Sequence, residues 1–490
     1  MRSTSAALGA CLYAAAASAR PSSSPNVLSA FSNSSIAWNS KTKISSPNSA
    51  SFENATTRWN DNDVPGFAVA VTPATEEDVS RAVNISRSIN VPFLGTGGRH
   101  AVSTTLGQVQ GGVSIDLSAL NSVSVDAKAG TLTVGGGTRF EQIYDEVFNA
   151  GYVMPVGSCA CPGMVGASVG AGVGRYQGLY GLIIDNLESV HMVTADGSII
   201  EVSDKTNADL MWAIRGAGAN FGIITQATYK LSPQTNGGKV TNADFILPAS
   251  SNGSYFDLVQ QLQKDMPAEL ATITVIEYNT TSKEPQILAN WVYIGPESDA
   301  DKYINPLKKL NPISTSISSV AYNDLINVAA DGLGVSICAQ TRINGYGANY
   351  KNLESATFQK IFGQMGDFYA QYPDGRDSSI EMEIFAPQAV QAVANNATAY
   401  PWRDSRGYAL ISFGFNSTQT EQAGETVAKS IRSEYAAIGG FDGLGVYVSY
   451  GHGDETPEQV FGTNLPRLSQ LKKQYDPNNV FAYYHAIPTN

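Results

Sequence analysis

The chain has 490 residues, of which 43% are hydrophobic and only 15% are charged. This composition excludes a disordered chain, which would combine high charge with few aromatic side chains, and the length suffices for roughly two to three domains or lobes. The net charge of −12 argues against binding to nucleic acids or anionic membranes, because both partners are negatively charged.

Residues 1–19 have the features of a secretory signal peptide. Arg2 gives a basic start, residues 6–17 form a small, mildly apolar run, and Ala17-Ser18-Ala19 is an A-x-A cleavage site. No other stretch is long and apolar enough to cross a membrane. We therefore expect a secreted or secretory-pathway protein, in which N-x-S/T sequons would be glycosylated. The sequon asparagines are Asn33, Asn54, Asn84, Asn252, Asn279, Asn396 and Asn416.

Removal of the signal peptide would also remove Cys11 and leave Cys159, Cys161 and Cys338. An odd number of cysteines in an oxidising compartment leaves one sulfur without a disulfide partner. One of these three cysteines is therefore expected to have another role.

The segments that follow differ in their patterns. Residues 20–60 are rich in Ser, Asn and Pro and are predicted to form an extended arm. Residues 61–235 combine short strands with glycine-rich turns, and capping motifs at Thr75–Asp78 and Thr138–Glu141 each begin a helix. A further helix is predicted over Asn207–Ile214. The predicted strands are Phe67–Val71, Val91–Leu94, Val113–Leu117, Ser122–Val125, Thr131–Val134, Ser189–Val193, Ser198–Val202 and Ile223–Leu231.

Longer helices and strands with alternating polarity occupy residues 236–445. This pattern predicts a lobe of the α+β class with an antiparallel sheet covered by helices. The predicted helices are Tyr255–Lys264, Phe358–Tyr372 and Glu421–Ala437, and the strands are Thr272–Tyr278, Ile287–Tyr293, Ser379–Phe385 and Tyr408–Phe415.

Glycine-rich turns follow several of the buried strands, at 95–98, 135–137 and 216–222. Glycine allows successive backbone N–H groups to converge on an anion such as a pyrophosphate, although any one of these segments could be a simple tight turn. None matches the Rossmann fingerprint, and the region lacks the regular βαβ alternation of a doubly wound sheet, so a nicotinamide cofactor is disfavoured. A Walker A lysine is also absent.

Six segments, in their order and spacing, resemble the berberine bridge enzyme-like branch of the vanillyl-alcohol oxidase and p-cresol methylhydroxylase (PCMH) fold, in its fungal secreted form. These segments are Val71–Val79, Gly95–His100, Gly135–Thr138, Gly178–Asn186, Arg215–Thr225 and Tyr475–Phe481. The resemblance implies an α+β, two-lobed protein, with an FAD-binding PCMH-type domain at 61–235 and a substrate-binding lobe at 236–445. A C-terminal segment at 446–490 is expected to return to the FAD domain.

The same resemblance implies a covalently bound flavin. His100 matches the histidine that bonds to a methyl group of the flavin's dimethylbenzene ring. Many relatives add a second link from a cysteine, which the spacing places at Cys159, with Cys161 as the alternative; the two cysteines could instead be buried or oxidised as a pair. The other implied cofactor-binding residues are Gly95, Thr96, Gly97, Gly98, Arg99, Ser103, Gly157, Gly166, Gly170, Gly174, Gly181 and Ile224.

Flavin oxidation of an alcohol needs a base for the hydroxyl proton. The position of the glutamate that some relatives use falls near Ala409, which leaves Tyr447, Tyr450 and Tyr484 as candidates. Glu381 and Glu383 alternate with apolar residues and are predicted to share one strand face. In the substrate lobe this face could line the pocket, but a solvated face is the default expectation.

Two departures from the family pattern bear on the pocket and on catalysis. Pro162-Gly163-Met164 interrupts the usual sequence after the cysteine, and 170–174 replaces a familiar histidine-containing motif. Phe461 stands where some sugar oxidases carry a tyrosine, which argues mildly against an oligosaccharide oxidase.

The sequence thus predicts a secreted FAD oxidase that dehydrogenates an alcohol or phenol group of a small secondary metabolite and passes electrons to molecular oxygen. A carbohydrate oxidase and a flavin-binding protein without catalysis are the alternatives. We expect a monomer without a metal site, a nucleic-acid partner or a membrane span.

Overall fold

A computed structural model describes residues 27–489, so the predicted signal peptide at 1–19 lies outside the described residues. The helices have these bounds: α1 (Val27–Phe31), α2 (Ala50–Thr56), α3 (Glu76–Ser88), α4 (Tyr144–Asn149), α5 (Met164–Ser168), α6 (Gln177–Tyr180), α7 (Ala208–Ala217), α8 (Asn252–Asp265), α9 (Glu297–Lys308), α10 (Tyr322–Val328), α11 (Leu333–Ser336), α12 (Ser355–Gln371), α13 (Gln388–Gln391), α14 (Thr418–Ile438), α15 (Pro457–Phe461) and α16 (Leu465–Tyr475).

The strands form four sheets and have these bounds: β1 (Lys43–Ser45), β2 (Phe67–Thr72), β3 (Phe93–Thr96), β4 (Gly112–Asp116), β5 (Val123–Asp126), β6 (Thr131–Gly135), β7 (Tyr152–Val153), β8 (Leu187–Val193), β9 (Ile199–Ser203), β10 (Ile223–Lys230), β11 (Ser232–Pro233), β12 (Lys239–Leu247), β13 (Leu270–Asn279), β14 (Glu284–Tyr293), β15 (Ser314–Ala321), β16 (Ile343–Tyr350), β17 (Ser379–Phe385) and β18 (Gly407–Gly414).

The segment before residue 61 is not the extended arm that its composition predicted. Its described part contains α1, β1 and α2, and β1 pairs with β2 in antiparallel register. The polar residues that suggested an extended chain make local hydrogen bonds instead: the Ser49 hydroxyl caps α2 by accepting from the backbone N–H of Phe52.

Two sheets build the N-terminal half of the protein. The first has the order β1-β2-β4-β3, in which β2, β4 and β3 run parallel, and the second has the antiparallel order β5-β6-β10-β8-β9. Helices α1 and α3 pack against one face of these strands, where Val69, Val71, Val113 and Ile115 are buried. Helix α2 also contacts β2 and β4, and the Ser114 hydroxyl donates to the carbonyl of Ala55 in α2. β3 ends at Thr96, and the glycine-rich segment 97–100 therefore starts at the edge of this sheet.

The second lobe is one seven-stranded antiparallel sheet with the order β15-β12-β14-β13-β17-β18-β16. Helices α8, α9, α12 and α14 pack on one face of this sheet and bury its apolar side chains. The other face, which no helix of this group covers, is directed toward the N-terminal half, where Val173, Leu182 and Ile184 pack against Ile273 and Phe385.

The C-terminal segment packs on the N-terminal half. Helix α16 contacts α7, and the Asn220 side chain donates to the backbone carbonyls of Tyr484 and His485 while accepting from the N–H of Ile487. Lys472 is fully buried and bonds to Asp476, which closes the turn after α16. No helix within residues 27–489 is long and apolar enough to cross a membrane.

Candidate active site

A cavity of about 330 Å³ lies between the N-terminal half, the seven-stranded sheet and the C-terminal segment. β3 and the loop that follows it form one wall. The segment 157–167, which includes most of α5, forms a second, and β17 and β18 form the wall on the side of the second lobe. Residues 447–450 and 481–484 complete the enclosure. Segments that are far apart in the chain therefore meet around one space.

The structure places most of the sequence-predicted site residues on this cavity. Those that line it are Gly95, Thr96, Gly97, Gly98, Arg99, His100, Gly157, Cys159, Gly166, Ile224, Tyr447, Tyr450 and Tyr484. Four of the predicted residues do not line the cavity: Ser103, Gly170, Gly174 and Gly181. Ser103 bonds to Thr105, Gly170 packs on Val448, Gly174 on the carbonyl of Val156, and Gly181 has a positive φ beside Asp185.

Glycine is required where two of the loops touch. A Cβ atom on Gly98 would lie 2.0 Å from the backbone nitrogen of Gly163, and one on Gly136 would lie 2.2 Å from the carbonyl oxygen of Ile224. Both distances are too short for any side chain. The glycines therefore allow the loops after β3, β6 and β7 to converge on the cavity wall.

Several groups on the wall are suited to a polar ligand with a large flat ring. Among residues 27–489, the Thr96 hydroxyl is buried without a hydrogen-bond partner, and the backbone N–H groups of Gly97 and Gly98 donate to no protein acceptor. Buried polar groups in native proteins are normally paired. Gly166 is open to the cavity, since a Cβ there would meet no atom within 4 Å. These residues fit a cofactor that accepts hydrogen bonds and occupies the space beside Gly166.

His100 is fixed by an aromatic neighbour that the sequence did not single out. The Trp59 indole stacks on the imidazole with ring centroids 4.0 Å apart, and its N–H donates to the carbonyl of Ile337 at 2.6 Å. Burial, followed by the charges on Arg139 and Arg58, lowers the pKa of His100 to about 4. The imidazole is therefore neutral at physiological pH and able to act as a nucleophile.

Glu381 and Glu383 face the cavity, so the expectation of a solvated strand face is wrong. Their apolar neighbours Ile380, Met382 and Ile384 pack under the helices of the second lobe, and the alternation of the strand turns both glutamates to the opposite face. That face is covered by the N-terminal half, and Glu383 is only 1% exposed.

The two carboxyl groups have different environments. Glu383 accepts hydrogen bonds of 2.7 Å from the hydroxyls of both Ser158 and Tyr450. Burial raises the pKa of Glu383, and these two hydrogen bonds oppose the rise. Burial and then the charge on Glu383 raise the pKa of Glu381 to about 8. Glu381 therefore keeps its proton at neutral pH, whereas the two hydroxyl donors favour the ionised form of Glu383.

The three candidate tyrosines differ in the partners of their hydroxyl groups. Only Tyr450 among them donates to a carboxylate. The Tyr447 hydroxyl accepts from the N–H of Gly172 and lies 3.5 Å from the carbonyl of Ala167, and the Tyr484 hydroxyl donates to the carbonyl of Val448. Tyr447 and Tyr484 thus have backbone partners, whereas Tyr450 is connected to an ionisable group.

Cys161 is bonded to Cys338, which excludes the alternative of a Cys159–Cys161 pair. The backbone N–H of Ala160 donates to the carbonyl of Gly334 at 2.9 Å, which holds the loop at 157–163 against α11 and brings Cys161 beside Cys338. Cys159 keeps a free thiol that lines the cavity. Burial, followed by the charges on Glu381 and Glu383, raises the pKa of this thiol.

Glu381 and Glu383 were misjudged from the sequence, and Trp59 was missed. Ala409 faces the helix-covered core, and its neighbour Leu410 faces the cavity, so the carboxylate of the site comes from the adjacent strand β17. The strict alternation of β17 indicated that the two glutamates share one face, but it did not indicate which face the rest of the protein covers. Trp59 had no detectable signal, because its contacts depend on residues more than 40 positions away.

Family comparisons agree with this architecture. A family model described as "FAD binding domain" matches residues 67–203, and one described as "Berberine and berberine like" matches residues 446–488. The chain is 44% identical over 455 residues to the FAD-linked oxidoreductase OXR1 of Pyricularia oryzae, covering 92% of this chain and 89% of the relative. It is 41% identical over 461 residues to the FAD-linked oxidoreductase fogF of Aspergillus ruber, covering 93% of each.

Solved structures show the same fold. BBE-like 1 of Physcomitrella patens matches with a TM-score of 0.81 and 21% identity, covering 92% of this chain and 97% of that one. A glucooligosaccharide oxidase from Acremonium strictum, whose flavin is described as a 6-S-cysteinyl, 8α-N1-histidyl FAD, matches with a TM-score of 0.81, 22% identity and the same coverage.

Proposed function

The chain belongs to the berberine bridge enzyme-like family of FAD-linked oxidoreductases, and from this membership we propose that it is a secreted oxidase of a small secondary metabolite. The substrate group is an alcohol or a phenol, the FAD is bound covalently through His100, and molecular oxygen accepts the electrons to give hydrogen peroxide. The observation that carries the proposal is the hydrogen-bonded pair of Tyr450 and Glu383 at the cavity.

The residues that would hold FAD are those of the converging glycine loops. Thr96 and the free N–H groups of Gly97 and Gly98 offer hydrogen bonds, and Gly166 leaves room for the ring system. When bound, FAD supplies a two-electron acceptor for a hydride from the substrate carbon. The stacked, neutral imidazole of His100 supports the assignment of this residue as the point of attachment.

Tyr450 and Glu383 together can accept the substrate's hydroxyl proton. The Tyr450 hydroxyl donates to the Glu383 carboxylate at 2.7 Å, so its own oxygen is free to accept a hydrogen bond from the substrate. As the substrate proton moves to Tyr450, the tyrosine proton moves to Glu383. Ser158, which donates to the other Glu383 oxygen, holds the carboxylate in place. The pKa of a tyrosine hydroxyl alone is too high for the group to be ionised, and so to abstract a proton efficiently, at neutral pH. The carboxylate of Glu383 overcomes this because it takes up the tyrosine proton.

Secretion is supported by the sequons as well as by the N-terminal pattern. Asn33, Asn54, Asn84, Asn396 and Asn416 are exposed, and Asn252 and Asn279 are half-buried and bonded to protein groups. The test is expression in a eukaryotic host followed by treatment of the secreted protein with an N-glycosidase. A loss of mass at the exposed sites is expected, whereas a protein retained in the cytosol would contradict this part of the proposal.

The catalytic proposal is tested by anaerobic mixing of the purified enzyme with panels of small phenols, alcohols and oligosaccharides while the flavin absorbance is followed. We expect bleaching by members of the first two panels, and hydrogen peroxide once air is admitted. Bleaching by sugars alone would identify a carbohydrate oxidase, and no bleaching with any compound would favour a binding protein.

The roles of the tyrosines are tested in the same assay. We expect Tyr450→Phe and Glu383→Gln each to lower the rate of flavin reduction by at least about 100-fold, because each interrupts proton removal. Tyr484→Phe is the matched control, since its hydroxyl donates to a backbone carbonyl and not to a carboxylate. A large loss in the control, with Tyr450→Phe near the wild-type rate, would contradict the assignment.

A further inference from the structure

His100 lies among residues of both lobes that contact one another. Trp59 stacks on the imidazole, and its indole N–H donates a hydrogen bond to the carbonyl of Ile337, the residue before Cys338. Cys338 is bonded to Cys161, and the Cys161 sulfur lies 3.3 Å from Nε2 of His100. We call these residues, Trp59, His100, Cys161, Ile337 and Cys338, the His100 cluster.

The Cys161 sulfur lies beside His100, but it does not face the cavity. Cys161 is 4% exposed and does not contribute to the lining, although His100 and the adjacent Pro162 and Gly163 do. A cysteine bonds to a carbon atom only as a thiolate. A sulfur engaged in a disulfide has no proton to lose and cannot form that bond while the disulfide is closed.

Cys159 is exposed to the cavity, but its environment keeps it protonated. It lies close to Glu381 and Glu383, and burial together with these carboxylates raises the pKa of its thiol. Arg175 opposes the rise only in part, because its guanidinium is directed to Asn290. The cavity therefore contains a thiol with little thiolate character.

We propose that His100 is the only covalent attachment point for FAD in this chain, and that Cys161 is held instead in a disulfide with Cys338 that ties the loop at 157–163 to the second lobe. This inference rests on the proposed covalent attachment to His100. The bond joins a ring nitrogen of His100 to the methyl carbon of the dimethylbenzene ring of FAD. One hydrogen leaves the imidazole and one leaves the methyl group, and dioxygen takes up both with their two electrons as hydrogen peroxide.

The experiment is peptide mapping of the full-length flavinylated enzyme. The protein is denatured and alkylated with iodoacetamide without reductant, digested, and analysed by mass spectrometry. We expect one FAD mass on the peptide that contains His100, a cross-link between the peptides that contain Cys161 and Cys338, and an alkyl group on Cys159. Reduction before alkylation should separate the cross-linked peptides and leave the FAD mass where it was.

The possible outcomes separate this inference from the proposed function. FAD on a peptide containing Cys159 or Cys161 in addition to His100 overturns the single attachment and leaves the proposed function intact. A Cys161–Cys338 cross-link with no FAD on any peptide overturns both the attachment to His100 and the inference that rests on it.

A variant gives a second readout that does not depend on activity. The thiols of denatured, unreduced wild type and Cys338→Ala are counted with Ellman's reagent. If Cys338 is in a disulfide, its replacement removes no free thiol, and the count is expected not to fall. A fall of one thiol per chain would identify Cys338 as free in the wild type and overturn the proposal. Cys159→Ala is the matched control, for which a fall of one thiol is expected.

Discussion

Glu381 and Glu383 are two residues apart on β17 and differ mainly in their hydrogen-bond partners. Glu383 has two hydroxyl donors, and Glu381 makes no hydrogen bond to any of the described side chains. The two hydroxyl donors therefore favour the ionised form of Glu383, the carboxyl group that Tyr450 contacts. Glu381, whose pKa is raised to about 8, keeps its proton at neutral pH.

The proton on Glu381 predicts a pH-dependent stability. The pKa of this group rises from its ordinary value of 4.5 to about 8 on folding. The folded chain therefore keeps a proton that the unfolded chain releases, and the free energy of unfolding should fall as the pH rises from about 5 to about 9. Glu381→Gln, which has no proton to lose, should lose less stability over this range.

This prediction is checked by urea unfolding of both proteins at the two pH values. Glu425→Gln, at an exposed position in α14, is the control and should follow the wild type. Equal slopes for wild type and Glu381→Gln would show that Glu381 titrates normally in the folded protein.

At the scale of a single element, the short helix α5 contains a residue that disfavours a helix but leaves space in the cavity. It carries Gly166, which is unfavourable in a helix interior. An alanine at this position would meet no protein atom within 4 Å and would project into the cavity. The glycine is therefore explained by the space that the cofactor needs and not by packing of the protein itself.

Gly166→Ala is accordingly expected to stabilise the cofactor-free protein by about 0.5–1 kcal/mol and to reduce FAD incorporation. Thermal unfolding and the ratio of flavin to protein absorbance measure the two effects. Gly98→Ala is the contrasting variant, because its Cβ would lie 2.0 Å from Gly163; it should lose FAD and stability together. A Gly166→Ala protein with full FAD content would contradict the placement of the ring system.

Element bounds were predicted well where the pattern of one strand or helix was sufficient. β17 was predicted at its observed bounds, and α14 begins only three residues before its predicted start because Ser417 caps it. Alternation showed that Glu381 and Glu383 share a face, but the identity of the covering surface depends on the other lobe. The Cys161–Cys338 bond spans 177 residues, and no local pattern indicates such a pairing.

At the scale of the whole molecule, a buried ion pair joins the two halves. The two terminal nitrogens of the Arg403 guanidinium donate to the Asp185 carboxylate, at 3.0 and 2.7 Å. Arg403 also donates to the Thr398 hydroxyl. Arg403 is 1% exposed. Removal of one partner leaves a buried charge without compensation, which is strongly destabilising.

We therefore expect Arg403→Ala to lower the free energy of unfolding by about 3–5 kcal/mol. Lys429→Ala is the control: it breaks an exposed ion pair with Glu425 and should cost less than about 1 kcal/mol. Denaturant unfolding, followed by both tryptophan and flavin fluorescence, measures the change. Similar values for the two variants would mean that the Arg403–Asp185 pair does not stabilise the contact between the halves.

The return of the C-terminal segment has a consequence for how the enzyme is made. Phe481, Tyr483 and Tyr484 belong to the cavity wall, and Asn220 fixes them through backbone hydrogen bonds. Because a ribosome produces the chain from its N-terminus and domains fold as they emerge, both lobes can form while this wall is still missing. We therefore expect FAD to be captured only after the chain is complete, and a chain interrupted before residue 481 to lack flavin even if it folds.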